Sequence, residues 1–283
     1  MKSKKCVWTI IAAMAIVMGA CDKDDSSKDD AAQSIFWSQS FICSYAELPT
    51  QDQVEAAVLE KPVAHVDDPA NLGWLQKANV QSVKTYQDVR FVLRHKLGTN
   101  QTLYHELWGT GPFSKEEKTA AAKFTELSIA NDDQSYNREG QSFGYCLYKK
   151  TESLHVVSDA AYDAQHPAGT LLDDILDVDF WSAEDFLKSG YNSFFDYLGE
   201  TTRPIYPESS DGAEVPAVGP FMIESLAEFN RIQRTLINFG FIFMLTKAPD
   251  QTSTHRFTIT YTNEDGTVLA ATTDPATIQG AGK

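Results

Sequence analysis

The amino-acid sequence predicts an α+β fold in which antiparallel strands, of a kind that suits a β-sandwich, are decorated with several helices. Two observations lead to this fold class. Capping-box signals mark four helix starts, and five or six short segments either alternate apolar with polar residues or are apolar throughout. We found no internal repeat, and no apolar run beyond the amino-terminal one approaches the length that spans a bilayer.

Helix starts are predicted where a hydroxyl side chain caps the first turn and the residue three positions later reaches back. Such boxes begin at Thr50, Ser114, Ser182 and Ser225. The Thr50 box predicts a short helix, and the Ser114 box opens the strongest helical segment, KTAAAKFTELSIA. The third helix is expected to be interrupted at Gly190, and the fourth has apolar residues at helical spacing.

Strands are predicted most clearly near the carboxyl end of the chain. Residues 255–262 alternate, and NEDG at 263–266 is a hairpin turn before TVLAA. Residues 82–97 fit both a helix and a strand, and the proline- and glycine-rich residues 203–220 are predicted to form a long loop. Further strands are predicted in FGFIFML, SFGYCLYK, LHVVS and residues 35–45.

Residues 1–20 are predicted to be a secretory signal. Lys2, Lys4 and Lys5 precede an apolar run of about a dozen residues, which is short of the roughly 20 that span a bilayer as a helix. The segment MGAC at 18–21 resembles a bacterial lipobox, so Cys21 is the predicted lipidation site. The alternative is an ordinary signal peptide followed by a chance cysteine.

Residues 21–33 are predicted to be an acidic, disordered tether before a globular domain at 34–283. The composition of DKDDSSKDD cannot bury apolar surface. This segment resembles the acidic signal that sends lipoproteins of the Bacteroidetes to the outer face of the outer membrane. We therefore expect an acyl-anchored protein that faces the cell exterior. Within the domain, residues 46–140 are expected to be mainly helical and residues 141–283 rich in strands.

The charge of the chain excludes one class of partner. The formal net charge is −15, and loss of residues 1–20 removes three lysines and no acids, which gives −18. An acidic surface repels phosphate backbones, so we expect no nucleic-acid partner. The negative charge also disfavours binding of the protein to anionic lipid. The acyl group is therefore expected to hold the protein at the outer membrane.

Two further segments resemble lipoproteins of unknown function from the Bacteroidetes. They are SLHVVSDAAYDAQHPAGTLLDDIL at 153–176 and FIFMLTKAP with HRFTITYTNEDGTVL within 241–269. The resemblance covers about 100 residues and implies an envelope lipoprotein. It implies no activity, because no activity is assigned to such families.

Two cysteines follow the anchor in apolar, strand-like segments. Cys43 lies in SFICSY and Cys146 in FGYCLY. Export permits a disulfide, and closing a loop of about a hundred residues would add roughly 4–5 kcal/mol in the entropy description. The alternative is two buried thiols that pack as small apolar side chains.

The stretch DAQHPAGTLLDD at 163–174 is the best candidate for chemistry. His166 lies in a rigid turn, with Ser158 and Asp159 nearby in sequence. A nucleophilic serine needs a histidine base and an orienting carboxylate, so these residues are candidates for a catalytic triad. The competing interpretation is a turn in which Thr170 caps a short helix.

Four acidic residues form a candidate cation site. Asp173, Asp174, Asp177 and Asp179 precede Trp181, and on a helix 173 and 177 would share a face. Carboxylate oxygens suit Ca²⁺, although the spacing differs from a calcium-binding loop between helices. A charged solvent-facing surface is the alternative, and no cofactor other than Ca²⁺ is predicted.

Aromatic residues near the carboxyl end of the Asp cluster suggest a glycan site. Exposed rings stack on the apolar faces of sugars, and nearby acids orient the sugar hydroxyls. Core packing of the same rings is the alternative. The candidate rings are Trp181, Tyr191, Phe194, Tyr197 and Tyr206.

The sequence thus favours a surface lipoprotein with a binding or accessory role toward a glycan, a peptide or another envelope protein. The alternative is an exported hydrolase that acts on envelope or dietary polymers. The chain lacks a Gly-x-Ser-x-Gly elbow and a phosphate-binding loop, and YHELW lacks the second histidine of a zinc-protease motif. Enzyme activity is therefore the less favoured hypothesis.

Overall fold

The computed structural model describes residues 39–59, 82–96, 98–107, 112–136, 143–191 and 221–282. These residues form mostly antiparallel sheets with few helices, which is an α+β or β-rich fold. No described helix is long and apolar enough to cross a membrane. The elements are β1 (Ile42–Ala46), β2 (Val54–Val58), β3 (Val83–Lys84), β4 (Arg90–His95), β5 (Leu103–His105), α1 (Lys115–Ala130), β6 (Phe143–Leu147), β7 (Thr151–Ser158), β8 (Leu176–Trp181), α2 (Glu184–Lys188), β9 (Phe221–Ser225), α3 (Leu226–Arg231), β10 (Gly240–Leu245), β11 (Ser253–His255), β12 (Phe257–Asn263), β13 (Val268–Thr272) and β14 (Ala276–Ile278).

The largest sheet has five antiparallel strands in the order β2-β4-β10-β8-β9. Strand β10 lies in its centre and is buried on both faces except at Met244. Burial on both faces explains why its segment is continuously apolar instead of alternating. One face of this sheet carries Phe91 and Phe243, whose rings stack with centroids 5.3 Å apart.

A second layer packs on that face. It consists of the sheets β13-β12-β7 and β11-β14-β3. Strand β12 alternates strictly, with Phe257, Ile259 and Tyr261 buried in the core that the five-stranded sheet also lines. The rings of Phe91 and Phe257 stack across the layers at 4.4 Å. The predicted strand 255–262 is confirmed, although Arg256 separates β11 from β12.

A smaller sheet, β5-β1-β6, carries the features of greatest functional interest. Strand β1 pairs antiparallel with β5 and parallel with β6. Helix α1 packs on one face of this sheet, where Phe124 lies 5.6 Å from the ring of Tyr45. The predicted capping box is confirmed, because the backbone N–H of Glu117 donates to the Ser114 hydroxyl at 3.1 Å and the Glu117 carboxylate accepts from the Ser114 N–H at 2.7 Å.

Two predicted helices are shorter than expected, and a third begins one residue later than predicted. At Thr50 one turn of 3-10 helix leads directly into β2, because pairing with β4 and burial of Val54 and Val58 favour a strand. Helix α2 has Ala183 at its N-cap instead of Ser182, whose hydroxyl donates to the Thr235 carbonyl. Helix α3 keeps the predicted cap on Ser225 but ends at Arg231.

The division into a helical and a strand-rich half is wrong for the described residues. Residues 46–140 contain β2, β3, β4 and β5 beside the single long helix α1. The ambiguous segment 82–97 forms a 3-10 turn and then β4. Conversely, NEDG forms the predicted turn, with Gly266 at φ +80°. The predicted signal, the tether and the loop 203–220 lie outside the described residues.

Candidate functional site

Side chains from five separate segments meet at one edge of the small sheet. Across the strands, Tyr104, Tyr45 and Cys146 lie in one row, since Tyr45 is the register partner of both. Side chains two residues apart on a strand share a face, so Glu47 and Tyr148 lie in the next row. We call Glu47 and the two accessible tyrosines, together with three charged neighbours, the tyrosine cluster: Glu47, Tyr104, Lys123, Tyr148, Lys149 and Asp265.

The rings of Tyr104 and Tyr148 form the centre of the tyrosine cluster. Their centroids lie 6.1 Å apart and their planes are tilted by 60°. Both rings are half-buried. The Tyr104 hydroxyl donates to the Glu47 carboxylate, and this hydrogen bond and burial raise the pKa of Tyr104 to about 12. Tyr104 therefore remains a neutral hydrogen-bond donor at physiological pH.

Charged side chains surround the two rings. The Lys123 ammonium lies over the Tyr148 ring, 5.9 Å from its centroid. Lys149 pairs with Asp265 at 2.5 Å, and this contact raises the pKa of Lys149. Glu47 is close enough to Lys149 to raise the pKa of that lysine further by its charge. The cluster therefore offers apolar ring surface, amines and carboxylates within one small area.

Helix α1 explains why these rings remain accessible whereas the central one does not. Phe124 on the helix covers Tyr45, which is fully buried. Tyr104 and Tyr148 pack against the edge of the same apolar cluster and stay half-exposed. The position of Glu47 is fixed by its backbone, because its N–H donates to the Thr102 carbonyl at 3.0 Å. The arrangement is thus held by sheet hydrogen bonds and helix packing.

The predicted triad is not assembled. The two ring nitrogens of His166 contact carboxylates, Nδ1 with Asp163 at 2.6 Å and Nε2 with Asp174 at 2.9 Å. Neither nitrogen hydrogen-bonds a serine hydroxyl among the described residues. Burial opposes ionisation of Asp163, but hydrogen bonds from Lys247 and His166 hold its pKa at about 2. Thr170 donates to the Pro167 carbonyl and does not cap a helix.

Ser158 does bond a histidine, but a different one from the one predicted. Its hydroxyl lies 2.8 Å from Nδ1 of His255, whose Nε2 lies 2.7 Å from the hydroxyl of Ser253. Burial lowers the pKa of His255. Because His255 is 0% and Ser158 2% exposed, a substrate cannot reach this pair. Asp159 accepts a hydrogen bond from the Arg256 N–H instead of orienting a base.

A third histidine, His155, was not considered from the sequence. Its Nδ1 lies 2.7 Å from Asp173, and its side chain is 39% exposed. A carboxylate orients a catalytic histidine in this way. However, no hydroxyl or thiol among the described residues hydrogen-bonds its Nε2. The pair therefore lacks a nucleophile within the described part of the chain.

The four candidate cation ligands are separated by the fold. Asp173 and Asp174 contact His155 and His166, whereas Asp177 and Asp179 lie on one face of β8. The expected helix is wrong, because these two residues pair with β10 as a strand. Among the residues that the structure describes, no three acidic, histidine or cysteine side chains are grouped for a metal ion.

Asp179 has the most perturbed carboxyl of the four. Burial raises its pKa to about 7, although the charge of Arg90 opposes the shift. Its side chain is 6% exposed. Its Oδ1 has no hydrogen-bond partner among the described residues. This carboxyl is therefore costly to ionise in the folded chain.

The predicted aromatic candidates are core residues where the structure describes them. Trp181 and Tyr191 are 7% and 6% exposed and pack with Phe186 and other rings. The Tyr191 hydroxyl donates to the buried carboxylate of Asp133 at 3.0 Å. These two rings present little surface to a sugar. Phe194, Tyr197 and Tyr206, like Cys21, lie outside the described residues.

The two internal cysteines are thiols in the structure. Cys43 and Cys146 lie on the neighbouring strands β1 and β6, and Cys146 is the register partner of Tyr45, two residues beyond Cys43. Burial raises the pKa of the Cys146 thiol well above its usual range. Cys146 is buried, as the alternative to a disulfide expected of both thiols, whereas Cys43 is only half-buried.

The tyrosine cluster could not be recognised from the sequence. Tyr104 lies in YHELW, which resembles only an incomplete zinc motif, and Tyr148 is the last residue but one of the predicted strand SFGYCLYK. Tyr148 directly follows β6 and packs, with Tyr104, against the apolar cluster that contains Cys146. The parallel pairing of β1 with β6 brings Glu47 close to Tyr148. No pattern within either strand segment predicts this pairing.

Comparisons with known proteins identified no relative of this chain. No family model, no curated protein and no solved structure matches the chain. The resemblance of residues 153–176 and 241–269 to lipoproteins of the Bacteroidetes therefore stays a prediction. The site is interpreted below from its own residues.

Proposed function

We propose that the chain is a lipid-anchored envelope protein whose folded domain binds a glycan at the tyrosine cluster. The observation that carries this proposal is the half-exposed pair of rings, Tyr104 and Tyr148, beside the carboxylate of Glu47. It is the type of site that the sequence suggested for other aromatic residues. The structure supports it at a different place in the chain.

A sugar ring matches the chemistry of this surface. One face of a pyranose carries C–H groups that pack on an aromatic ring, and the edge carries hydroxyls that need hydrogen-bond partners. Tyr104 and Tyr148 offer ring surface, while Glu47 offers acceptor oxygens and Lys149 a donor. Two tilted rings also suit two successive sugars of an oligosaccharide better than one flat ligand.

The anchor is proposed from the amino-terminal sequence. The lipobox-like MGAC at 18–21 would place acyl chains on Cys21, and the acidic segment that follows would direct the protein to the exterior of the outer membrane. A protein held there meets glycans, peptides and neighbouring envelope proteins. The tyrosine cluster favours the glycan among these partners. We further infer a β-sandwich framework, because the five-stranded sheet and β13-β12-β7 line one core.

Two assays on the acylated protein test this proposal. Protease shaving of intact cells, beside a Cys21→Ala variant, should cleave the wild type and find the variant released. Affinity electrophoresis of the purified protein in gels containing soluble polysaccharides should then show retardation by at least one glycan. Tyr148→Ala should weaken that retardation about tenfold or more, which corresponds to about 1.4 kcal/mol of binding.

Tyr86→Ala is the matched control, because Tyr86 is also half-buried but packs against the main core, away from the cluster. Tyr86→Ala should leave the retardation unchanged. Protection of the wild type until cell lysis would overturn the surface location. Retention that is equally strong in the Tyr148→Ala and wild-type proteins would overturn the proposed site.

A further inference from the structure

Among the described residues, Glu47 differs from Asp265, the other acid of the tyrosine cluster, in having no cation within ion-pair distance, although its charge still acts on nearby Lys149. Asp265 pairs with Lys149 at 2.5 Å. Lys123 pairs with Glu126 at 2.8 Å. Within the described part of the chain, no ammonium or guanidinium lies within ion-pair distance of Glu47. Its contact is the neutral hydroxyl of Tyr104, which occupies one of its two oxygens.

The rings beside Glu47 also favour a positive charge. The face of an aromatic ring is electron-rich and attracts cations within about 6 Å. The chain already shows this at Tyr148, where the Lys123 ammonium lies 5.9 Å from the ring centroid. No such cation lies over Tyr104 among the described residues. A ligand cation could therefore contact the Tyr104 ring and the second oxygen of Glu47.

The whole chain adds a long-range contribution. Its formal net charge is −15, and a surface of one sign raises the local concentration of oppositely charged ligands. An acidic glycan would be repelled from the same surface. A neutral glycan would use the rings but would leave the charge of Glu47 without a partner.

We propose that the glycan bound at the tyrosine cluster carries a free, protonated amino group, as a non-acetylated amino sugar does. The ammonium would lie between the Glu47 carboxylate and the ring of Tyr104, while the sugar ring packs on Tyr148. This proposal rests on the proposed glycan binding and names the class of sugar. No covalent step is involved.

The test compares two oligosaccharides that differ in one chemical group. Glucosamine oligomers and their fully N-acetylated counterparts of equal length are titrated into the acylated protein at about pH 6, where amines of this kind are mostly protonated. The wild type should bind the amino oligomer at least tenfold more tightly. Raising the salt concentration should reduce this preference, because salt screens the attraction between the charges.

Glu47→Gln is the decisive variant, since the glutamine oxygen still accepts from the Tyr104 hydroxyl but carries no charge. It should abolish the preference, because binding of the amino oligomer then weakens to about that of the acetylated oligomer. Glu116→Gln removes one charge from an exposed position on α1 and should preserve the preference. Thermal unfolding of each variant identifies any loss of folding, and salt dependence of the wild type then gives an independent readout.

The outcomes separate this inference from the proposed function. Equal or tighter binding of the acetylated oligomer, or a preference that survives in Glu47→Gln, would overturn the inference while glycan binding at the rings stands. Absence of binding to both oligomers and to every polysaccharide of the electrophoresis panel would overturn the proposed function as well.

Discussion

Individual histidines show how tertiary contacts decide the role of a titratable side chain. His166 is held between two carboxylates, His255 lies between two serines in the core, and His155 is oriented by Asp173 at the surface. The sequence placed a histidine near a serine and an aspartate. It could not show that Ser158 faces His255, which follows 97 positions later, because that contact depends on pairing of β7 with β12.

Asp179 leads to a prediction about pH. Its pKa of about 7 in the folded chain lies above the ordinary aspartate value of 3.8. The folded state therefore holds the proton more tightly, and the free energy of unfolding should fall as pH rises from about 4 through about 7. The substitution Asp179→Asn removes the ionisable group. The variant should therefore be more stable than the wild type at pH 8.

The expected gain is on the order of 4 kcal/mol at pH 8, at about 1.4 kcal/mol for each pKa unit. Urea unfolding at pH 5 and pH 8 measures it. Asp177→Asn, a half-exposed neighbour on the same face of β8, is the control and should change stability by less. If Asp179→Asn destabilised the protein equally at both pH values, the buried carboxyl would have a structural role that an amide cannot replace.

Two outer strand edges are covered by amide side chains. The side-chain amide of Asn230 donates to the carbonyl of Leu154 at 2.6 Å and accepts from its N–H at 2.8 Å, on the outer edge of β7 between the single bridges at Thr151 and Val157. On the opposite edge of the sheet, at β13, the Gln51 side-chain amide donates to the carbonyl of Ala270 at 2.6 Å and accepts from its N–H at 3.0 Å. Each amide thus satisfies one pair of backbone groups that an added strand would otherwise use.

The difference in exposure between these two edges leads to a second prediction. Asn230 is half-buried, so Asn230→Ala leaves backbone groups that water reaches poorly, and it should lower the free energy of unfolding by about 1–3 kcal/mol. Gln51 is exposed, and Gln51→Ala should cost less than about 1 kcal/mol because water replaces the amide. Urea unfolding of both variants measures the difference, and equal costs would contradict the explanation by burial.

Strands and helices differ in how far local sequence determined them. The Ser114 box formed as predicted because both of its hydrogen bonds lie within three residues. The Thr50 box formed as well, yet only one 3-10 turn followed, because β2 gains a ladder of hydrogen bonds to β4. A capping signal thus marks a turn, while neighbouring elements decide how long the helix continues.

For the whole molecule, net charge predicts a response to salt. The formal charge of −15 makes the folded chain repel itself at neutral pH. Raising NaCl from about 10 mM to about 150 mM shortens the screening length from about 30 Å to about 8 Å. We expect the midpoint of thermal unfolding at pH 7.5 to rise by about 2 °C or more.

The same measurement at pH 5 is the control for this expectation. The sequence pI is about 4.7, so the chain is close to neutral there and salt should have little effect. A midpoint that falls with salt at pH 7.5 would mean that ion pairs such as Arg94–Glu55 at 2.8 Å outweigh the overall repulsion.

The sequence by itself determined the features that depend on composition and on neighbouring residues. These are the antiparallel strands with their alternating burial, the start of α1, the NEDG turn and the acidic charge. Only the tertiary structure decided which residues meet. The tyrosine cluster joins Glu47 to Tyr104 and Tyr148 through pairings of β1 with β5 and β6, segments about 60 and 100 positions apart. Trp181 is buried for the same reason, because hydrophobic burial depends on packing of distant elements rather than on local sequence.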